Sequence, residues 1–204
     1  MILSKFSFDI RNRYGRSCIS DYQNMHRSIM RLFHCSRKEG SVLYRFHPKT
    51  LAVYILSENA PDISNIPSGM VFVGQKDMSA WEAKFTEGSC FRFDILVAPF
   101  KKVAEEGARN SRRRFLRTYQ ERLEWMSRKA EQSGFELVEI QENQSQTIHG
   151  SHSEEKGGNF YCNVVSYQGI LRVSDKERFS MAWKQGIGAG KAYGQGMLML
   201  VGIA

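Results

Sequence analysis

Long apolar runs are missing from this 204-residue chain. The longest, Met197 to Ala204, spans eight residues with a glycine inside. A membrane-crossing helix needs about 18 to 20 consecutive apolar residues, so none is expected. The opening Met1-Ile-Leu-Ser-Lys-Phe-Ser-Phe-Asp9 breaks any apolar stretch at Lys5 and Asp9, so it does not read as a signal peptide. Cysteine is scarce: Cys18, Cys35, Cys90 and Cys162 form no C-x-x-C pair, which argues against a zinc ribbon or a redox dithiol. Four scattered thiols without an export signal are expected to be buried and reduced in a cytoplasmic protein. H-E-x-x-H and D-x-D patterns are absent, and the close pair His149-Gly-Ser-His152 sits in a polar stretch beside Glu154 and Glu155. That stretch reads as a surface loop, so no metal and no cofactor are expected.

What is present is a core and an uneven charge. Hydrophobic residues make up 42% and aromatics 12%, enough to exclude disorder of the whole chain. The net charge is +8, distributed as +7 over residues 1–50, −3 over 51–100, +5 over 101–133 and −1 over 134–204. Two basic blocks between near-neutral ones favour a polyanion partner over a uniform solvated coat.

Ile2 to Ile10 alternates as a half-buried strand. Asn12 to Ile19, with Gly15, Arg13 and Arg16, reads as a basic loop. Ser20 and Gln23 form a capping-box pattern opening a helix. In that helix Tyr22, Met25, Ile29, Leu32 and Phe33 share one face. Val42–Phe46, Leu51–Leu56, Met70–Val73 and Cys90–Val97 read as strands, and Pro99 closes the first half. The order approximates a ferredoxin-like unit whose second helix is weak or missing. Lys101 to Arg114 has no apolar period and reads as a basic linker. Leu116 to Gln132 is an amphipathic helix stopped by Gly134. A strand at Phe135–Ile140, a long polar loop from Gln141 to Gly158, a strand at Phe160–Val173, a helix at Lys176–Gln185 and a final strand follow. The expected fold is α+β: two tandem ferredoxin-like domains with antiparallel sheets. The first covers residues 1–100, the linker 101–114 and the second domain 115–204.

The most distinctive stretch is Gln185-Gly-Ile-Gly-Ala-Gly-Lys-Ala-Tyr-Gly-Gln-Gly-Met-Leu198. A Walker loop fails because Ala192 follows Gly190-Lys191 and Gln185 stands five residues before Gly190. The dinucleotide fingerprint fails at Tyr193, and a strand follows rather than a helix. A tight structural turn and a phosphate-approaching RNA loop, with Lys191 as its charge, both remain open.

This segment resembles the glycine-rich loop of the repeat-associated mysterious proteins, the CRISPR-associated RNA-binding and RNA-cleaving superfamily. The opening Met1-Ile-Leu-Ser-Lys5 and the helix Tyr22-Gln-Asn-Met-His-Arg-Ser-Ile-Met-Arg-Leu-Phe33 resemble the CasE family, the type I-E endoribonucleases that process CRISPR precursor RNA. Trp125 to Phe135 and Tyr167 to Val173 are similar to that family's second domain, so the resemblance spans nearly the whole chain.

The resemblance implies metal-free cleavage within the repeat, at the base of its hairpin. The neighbouring 2′-hydroxyl attacks the phosphate, leaving a 5′-hydroxyl and a 2′,3′-cyclic phosphate. His26, about 60° from the centre of the apolar stripe at 100° per residue, is the candidate proton-transfer group. Tyr22, one turn before it, is a candidate to orient the reacting groups. The family's usual tyrosine stands three residues before the histidine, where this chain has Gln23. Arg27 and Arg31 on the same helix are expected near the RNA. Arg109, Arg112, Arg113, Arg114 and Arg117 are expected along its phosphate backbone. Lys191, Gly188 and Gly190 are expected to contact RNA through the glycine-rich loop. His34 is a weaker second proton group. The implied partners are the CRISPR repeat hairpin, retained after cutting as crRNA, and the other protein subunits of a Cascade surveillance complex. A non-catalytic RNA-binding subunit of the same superfamily is the alternative, and an assembly subunit contacting only proteins a third class.

Overall fold

The computed structural model describes residues 1–103, 112–143, 145–152 and 158–203. The fold is α+β, and both main sheets are antiparallel. The chain begins with β1 (Ile2–Phe8), α1 (Arg13–Ser20) and α2 (Tyr22–Met30), then β2 (Leu43–His47), β3 (Ala52–Ser57) and β4 (Met70–Asp77). These strands pair in the order β2-β3-β1-β4. That is the ferredoxin-like order, with the second crossover reduced to a 3-10 turn at Ile63–Asn65. The one-turn helix α3 (Ser79–Glu82) follows, then β5 (Cys90–Val97), β6 (Phe100–Val103) and β7 (Arg112–Phe115). The chain continues through α4 (Tyr119–Gln132), β8 (Phe135–Glu142), β9 (Gln146–Ser151), β10 (Asn159–Val173), α5 (Lys176–Gln185) and β11 (Met199–Gly202). The second main sheet runs β11-β5-β10-β8, the same order again, this time with both helices present.

Several elements depart from the sequence reading. Asn12 to Ile19 is largely helix: the Asn12 carboxamide accepts from the backbone of Tyr14 at 2.8 Å and Gly15 at 3.1 Å and starts α1. Arg13 and Arg16, which suggested a basic loop, are good helix formers. The N-cap of α2 is Asp21, not Ser20, because Ser20 is still helical and Asp21 is extended (φ −134°, ψ 109°). The expected linker at 101–114 is in its described part a β-ribbon, with β6 and β7 paired in register from Phe100↔Phe115 to Val103↔Arg112. Arg109 lies outside the described residues. Cys90–Val97, expected to close the first half, pairs instead with β10 and β11 in the second sheet. Its inward residues Phe91, Phe93, Ile95 and Val97 are buried with Phe85, Phe135, Phe179 and Trp183. The polar stretch expected as a long loop contains β9, which pairs with the first part of β10.

The first core lies between the first sheet and α2: Phe6, Phe8, Met25, Ile29, Leu32, Phe33, Tyr44, Val53 and Ile55. Met25 and Ile29 on α2 are buried as expected; the helix ends at Met30, and Leu32 and Phe33, expected on the same helical face, are buried from the segment that follows it. Tyr22 departs from that stripe and packs into a separate small cluster with Leu96, Ala98, Ile148 and Val164. Helix α2 therefore has an apolar partner on two sides, one from each half of the chain. Polar contacts that tie the two sheets together include Arg45 to Asp94 at 2.9 Å and to Ser166 at 3.4 Å, the Tyr44 hydroxyl donating to the Ala192 carbonyl at 2.7 Å, and Ser151 on Asp21.

Asp21 is the most connected of these groups. Its Oδ1 accepts from the backbone of Gln23 at 2.8 Å and Asn24 at 3.3 Å, and from Ser151 at 3.3 Å; its Oδ2 takes the Ser151 hydroxyl. Burial pushes this carboxyl up, but the hydrogen bonds from Ser151 and from the helix backbone outweigh it and hold it below the ordinary value. A carboxyl depressed on folding contributes stability above its ordinary pKa and loses it as pH falls through the folded value. Asp21→Ala is therefore expected to lower stability at neutral pH by about 1 to 2 kcal/mol. That penalty should shrink in acid, as urea titrations run at neutral pH and near pH 3 would show.

Candidate active site

The candidate site lies where α2, the glycine-rich turn and the β9–β10 hairpin meet. Helix α2 presents His26 at the edge of the core stripe, half-buried, with its Nδ1 buried and unpartnered among the described residues. The Nε2 edge is thus the part of the ring left for a ligand. Burial holds the imidazole below its ordinary pKa, and the nearby charges of Arg37 and Arg27 push the same way. The ring is consequently neutral at physiological pH and able to accept a proton.

The glycine-rich segment forms a compact turn. Gly186, Gly188, Gly190, Gly194 and Gly196 all have positive φ, and Lys191–Tyr193 make one 3-10 turn between Gly190 and Gly194. Gly190 is required twice over: its φ is +77°, and the Gln195 side chain fills the place a Cβ would take. Gly188 faces the Trp125 ring, with a Cβ position 3.3 Å from it. The turn is pinned from the other half by Tyr44 on Ala192 and from the second sheet by the Gly196 backbone donating to Leu96 at 2.7 Å. This packing places Tyr193 against His26, ring centroids 6.3 Å apart at 65°. It also leaves Lys191 half-buried. Burial lowers the Lys191 pKa, with Arg37 and Lys129 adding to the effect.

Of the residues expected from sequence, the structure gathers His26, Arg27 and Lys191. Arg27 and Arg31 are both exposed, and only Arg27 is close enough to act on the His26 charge. Tyr22 is turned into the apolar cluster; burial raises its phenol pKa and Arg45 opposes that rise. The aromatic ring set against His26 is therefore that of Tyr193. His34 is exposed and pairs with Asp62 at 3.2 Å. Arg113 stacks over the Phe100 ring at 4.8 Å, and Phe100 belongs to the cluster holding Tyr22 and Tyr193, so the ribbon's root borders the site. Arg114 is exposed on that ribbon, Arg112 lies in β7, and Arg117 is exposed just beyond it. Three neighbours were not legible beforehand: Arg37 in the segment after α2, Tyr193 inside the glycine turn, and His152, which bonds the Tyr193 hydroxyl at 3.1 Å. The pair His149 and His152 does not form a free loop, since His149 is in β9 and His152 is half-buried directly after it.

A half-buried neutral imidazole beside Arg27, Arg37 and Lys191 is suited to hold an anion and move a proton at one place. Replacing Arg37 with Gln removes a neighbouring cation, so it should raise the His26 pKa, and by more than Arg27→Gln does. The shift is readable from the His26 ring protons in an NMR titration between pH 4.5 and 8.

A family model described as CRISPR associated protein matches residues 1–201. The CRISPR-associated endoribonuclease Cse3 of Thermus thermophilus is 26% identical over 213 residues, which cover 97% of this chain and 98% of that protein. The solved structure of CRISPR endoribonuclease Cse3 bound to 19-nucleotide RNA is similar at a TM-score of 0.86 and 25% identity, covering 98% of this chain and all of that one. A chain of a CRISPR RNA-guided surveillance complex, pre-nicking, shares the fold at a TM-score of 0.78 and 23% identity, with 100% of both chains covered.

Proposed function

The chain belongs to the CRISPR-associated protein family, and from that membership we propose that it is a metal-independent endoribonuclease that cuts CRISPR precursor RNA within the repeat. The observation that carries this reading is the half-buried, neutral His26 beside Arg27 and Arg37, with Lys191 near Arg37. In the proposed reaction the 2′-hydroxyl at the base of the hairpin attacks the adjacent phosphorus. Its proton leaves to a base, the P–O5′ bond breaks, and the leaving oxygen takes up a proton. The products are a 2′,3′-cyclic phosphate and a 5′-hydroxyl. His26 is the proton-transfer group, and the surrounding cations stabilise the charge that grows on the phosphorane oxygens. Tyr22, enclosed in the apolar cluster, supports the helix that carries the histidine.

The basic ribbon supports an RNA partner on independent grounds. Its register sets Lys101 opposite Arg114 and Lys102 opposite Arg113. Like charges directly opposed across a strand pair are destabilising, and only Lys101 has an acidic partner among the described residues, Glu121 at 3.1 Å. A phosphate backbone laid along β6 and β7 relieves that repulsion. Gly188, Gly190 and Lys191 then present the turn to the strand near the cut. After cleavage the hairpin stays bound, and the protein enters a Cascade-type complex with the other effector subunits, in keeping with the surveillance-complex chain that shares its fold.

His26→Ala is expected to reduce single-turnover cleavage of a repeat hairpin by at least about 100-fold while binding persists; cleavage at the normal rate by this variant would refute the assignment. Cutting should proceed in EDTA and stop with a 2′-deoxy substitution at the cut site. Binding measured by filter retention should fall steeply with salt, and less steeply once Arg113 and Arg114 are both replaced by Gln.

A further inference from the structure

We propose that Tyr193 is a positioning residue for His26, orienting the imidazole by ring packing, and that His152 holds Tyr193 in place. This rests on His26 being the proton-transfer group.

The starting point is an unmet need. A working histidine is commonly oriented by a hydrogen bond to the ring nitrogen that does no chemistry. Here Nδ1 of His26 is buried and unpartnered among the described residues, so no hydrogen bond sets the ring's rotation. The χ2 torsion of histidine is broad and two-fold, and by itself it does not hold one orientation. Packing must therefore supply the restraint. The Tyr193 ring meets the imidazole edge to face at 6.3 Å.

Tyr193 is itself over-determined. Its ring packs on Phe160 with centroids 4.4 Å apart, and its hydroxyl is 3.1 Å from Nε2 of His152. Its backbone N–H donates to Gly190 at 2.8 Å. The His152 ring lies 5.3 Å from Phe160, and its backbone donates to Gly158 at 3.0 Å, across the hairpin. Phe160 can sit there because residue 150 is glycine: the phenyl ring fills the place of a Cβ. The row His152, Phe160, Tyr193, His26 thus runs from the hairpin to the reacting ring. The charged groups facing it are Arg27 on the same helix, Arg37 after it, and Asp21 beside Tyr193.

The test compares the full-length protein with the variants Y193F, Y193A, H152A and Y193F/H152A. Three quantities are measured: single-turnover cleavage, hairpin affinity and the His26 NMR titration. Y193A removes the restraint and should slow cleavage about 10- to 100-fold, the size of effect seen when a reacting group is misplaced. Affinity should stay within about 2-fold, and the His26 pKa should move up toward the ordinary value as water reaches the ring. Y193F and H152A remove the same hydrogen bond, so each should slow cleavage about 3-fold, with the double variant no slower than either. The proposal is overturned if Y193A keeps both the native rate and the native His26 pKa. It is also overturned if the two milder effects multiply, or if H152A is as inactive as His26→Ala, which would make His152 a reacting group. A His26→Ala protein that cleaves normally would refute the proton-transfer reading instead, while the titration of His26 in Y193A would still report on the ring contact.

Discussion

One carboxylate organises the site. Asp21 ends α1, caps α2, and receives both the backbone and the hydroxyl of Ser151 from the second half of the chain. An N-cap normally settles a local matter, where a helix starts. Here the same oxygens also fix where that helix stands relative to the β9–β10 hairpin. Because His26 is on the helix and His152 follows β9, the distance between them is set by this joint. The apolar cluster around Tyr22 completes it, so the helix is clamped by a charge at its end and by hydrocarbon along its side.

The electrostatics of the molecule are those of a surface awaiting a polyanion. Arg27 and Arg37 act on an imidazole that burial already discourages from charging, and Lys191 adds a further cation near Arg37. The ribbon sets cations opposite one another across its strands. Neither arrangement favours the isolated protein, and both become favourable once phosphates lie between the charges. Local conflict of this kind is expected where natural sequences depart from self-consistency at functional places, in keeping with the RNA partner proposed above.

Legibility followed locality. The core face around α2 was readable because Met25, Ile29, Leu32 and Phe33 recur at helical spacing, although the helix itself ends at Met30. The ferredoxin-like order was readable from the succession of elements, including the reduced second crossover. The placement of Cys90–Val97 was not, because a strand alternating cleanly suits either sheet and its partners lie more than sixty residues further along. β9 escaped notice because Gln146 to Ser151 is mostly polar; pairing with β10 makes it a strand, and Ile148 alone anchors it among the buried apolar residues. In the site, His26 and Lys191 came through the family resemblance and the glycine-rich segment. His152 was hidden by acidic neighbours that suggest an exposed loop, and Tyr193 by glycines that draw attention to the backbone. The packing of Tyr22 was not readable either, since a one-turn spacing from His26 says nothing about which neighbour a side chain will meet when two cores flank the helix.

The order of the second sheet ties the candidate site to a sheet edge. β11 is an edge strand on β5, and the turn bearing Lys191 and Tyr193 lies directly before it. The first sheet includes no part of that strand. Fraying of β11 therefore loosens the turn that sets Tyr193 against His26 while the helix carrying the histidine keeps its own core.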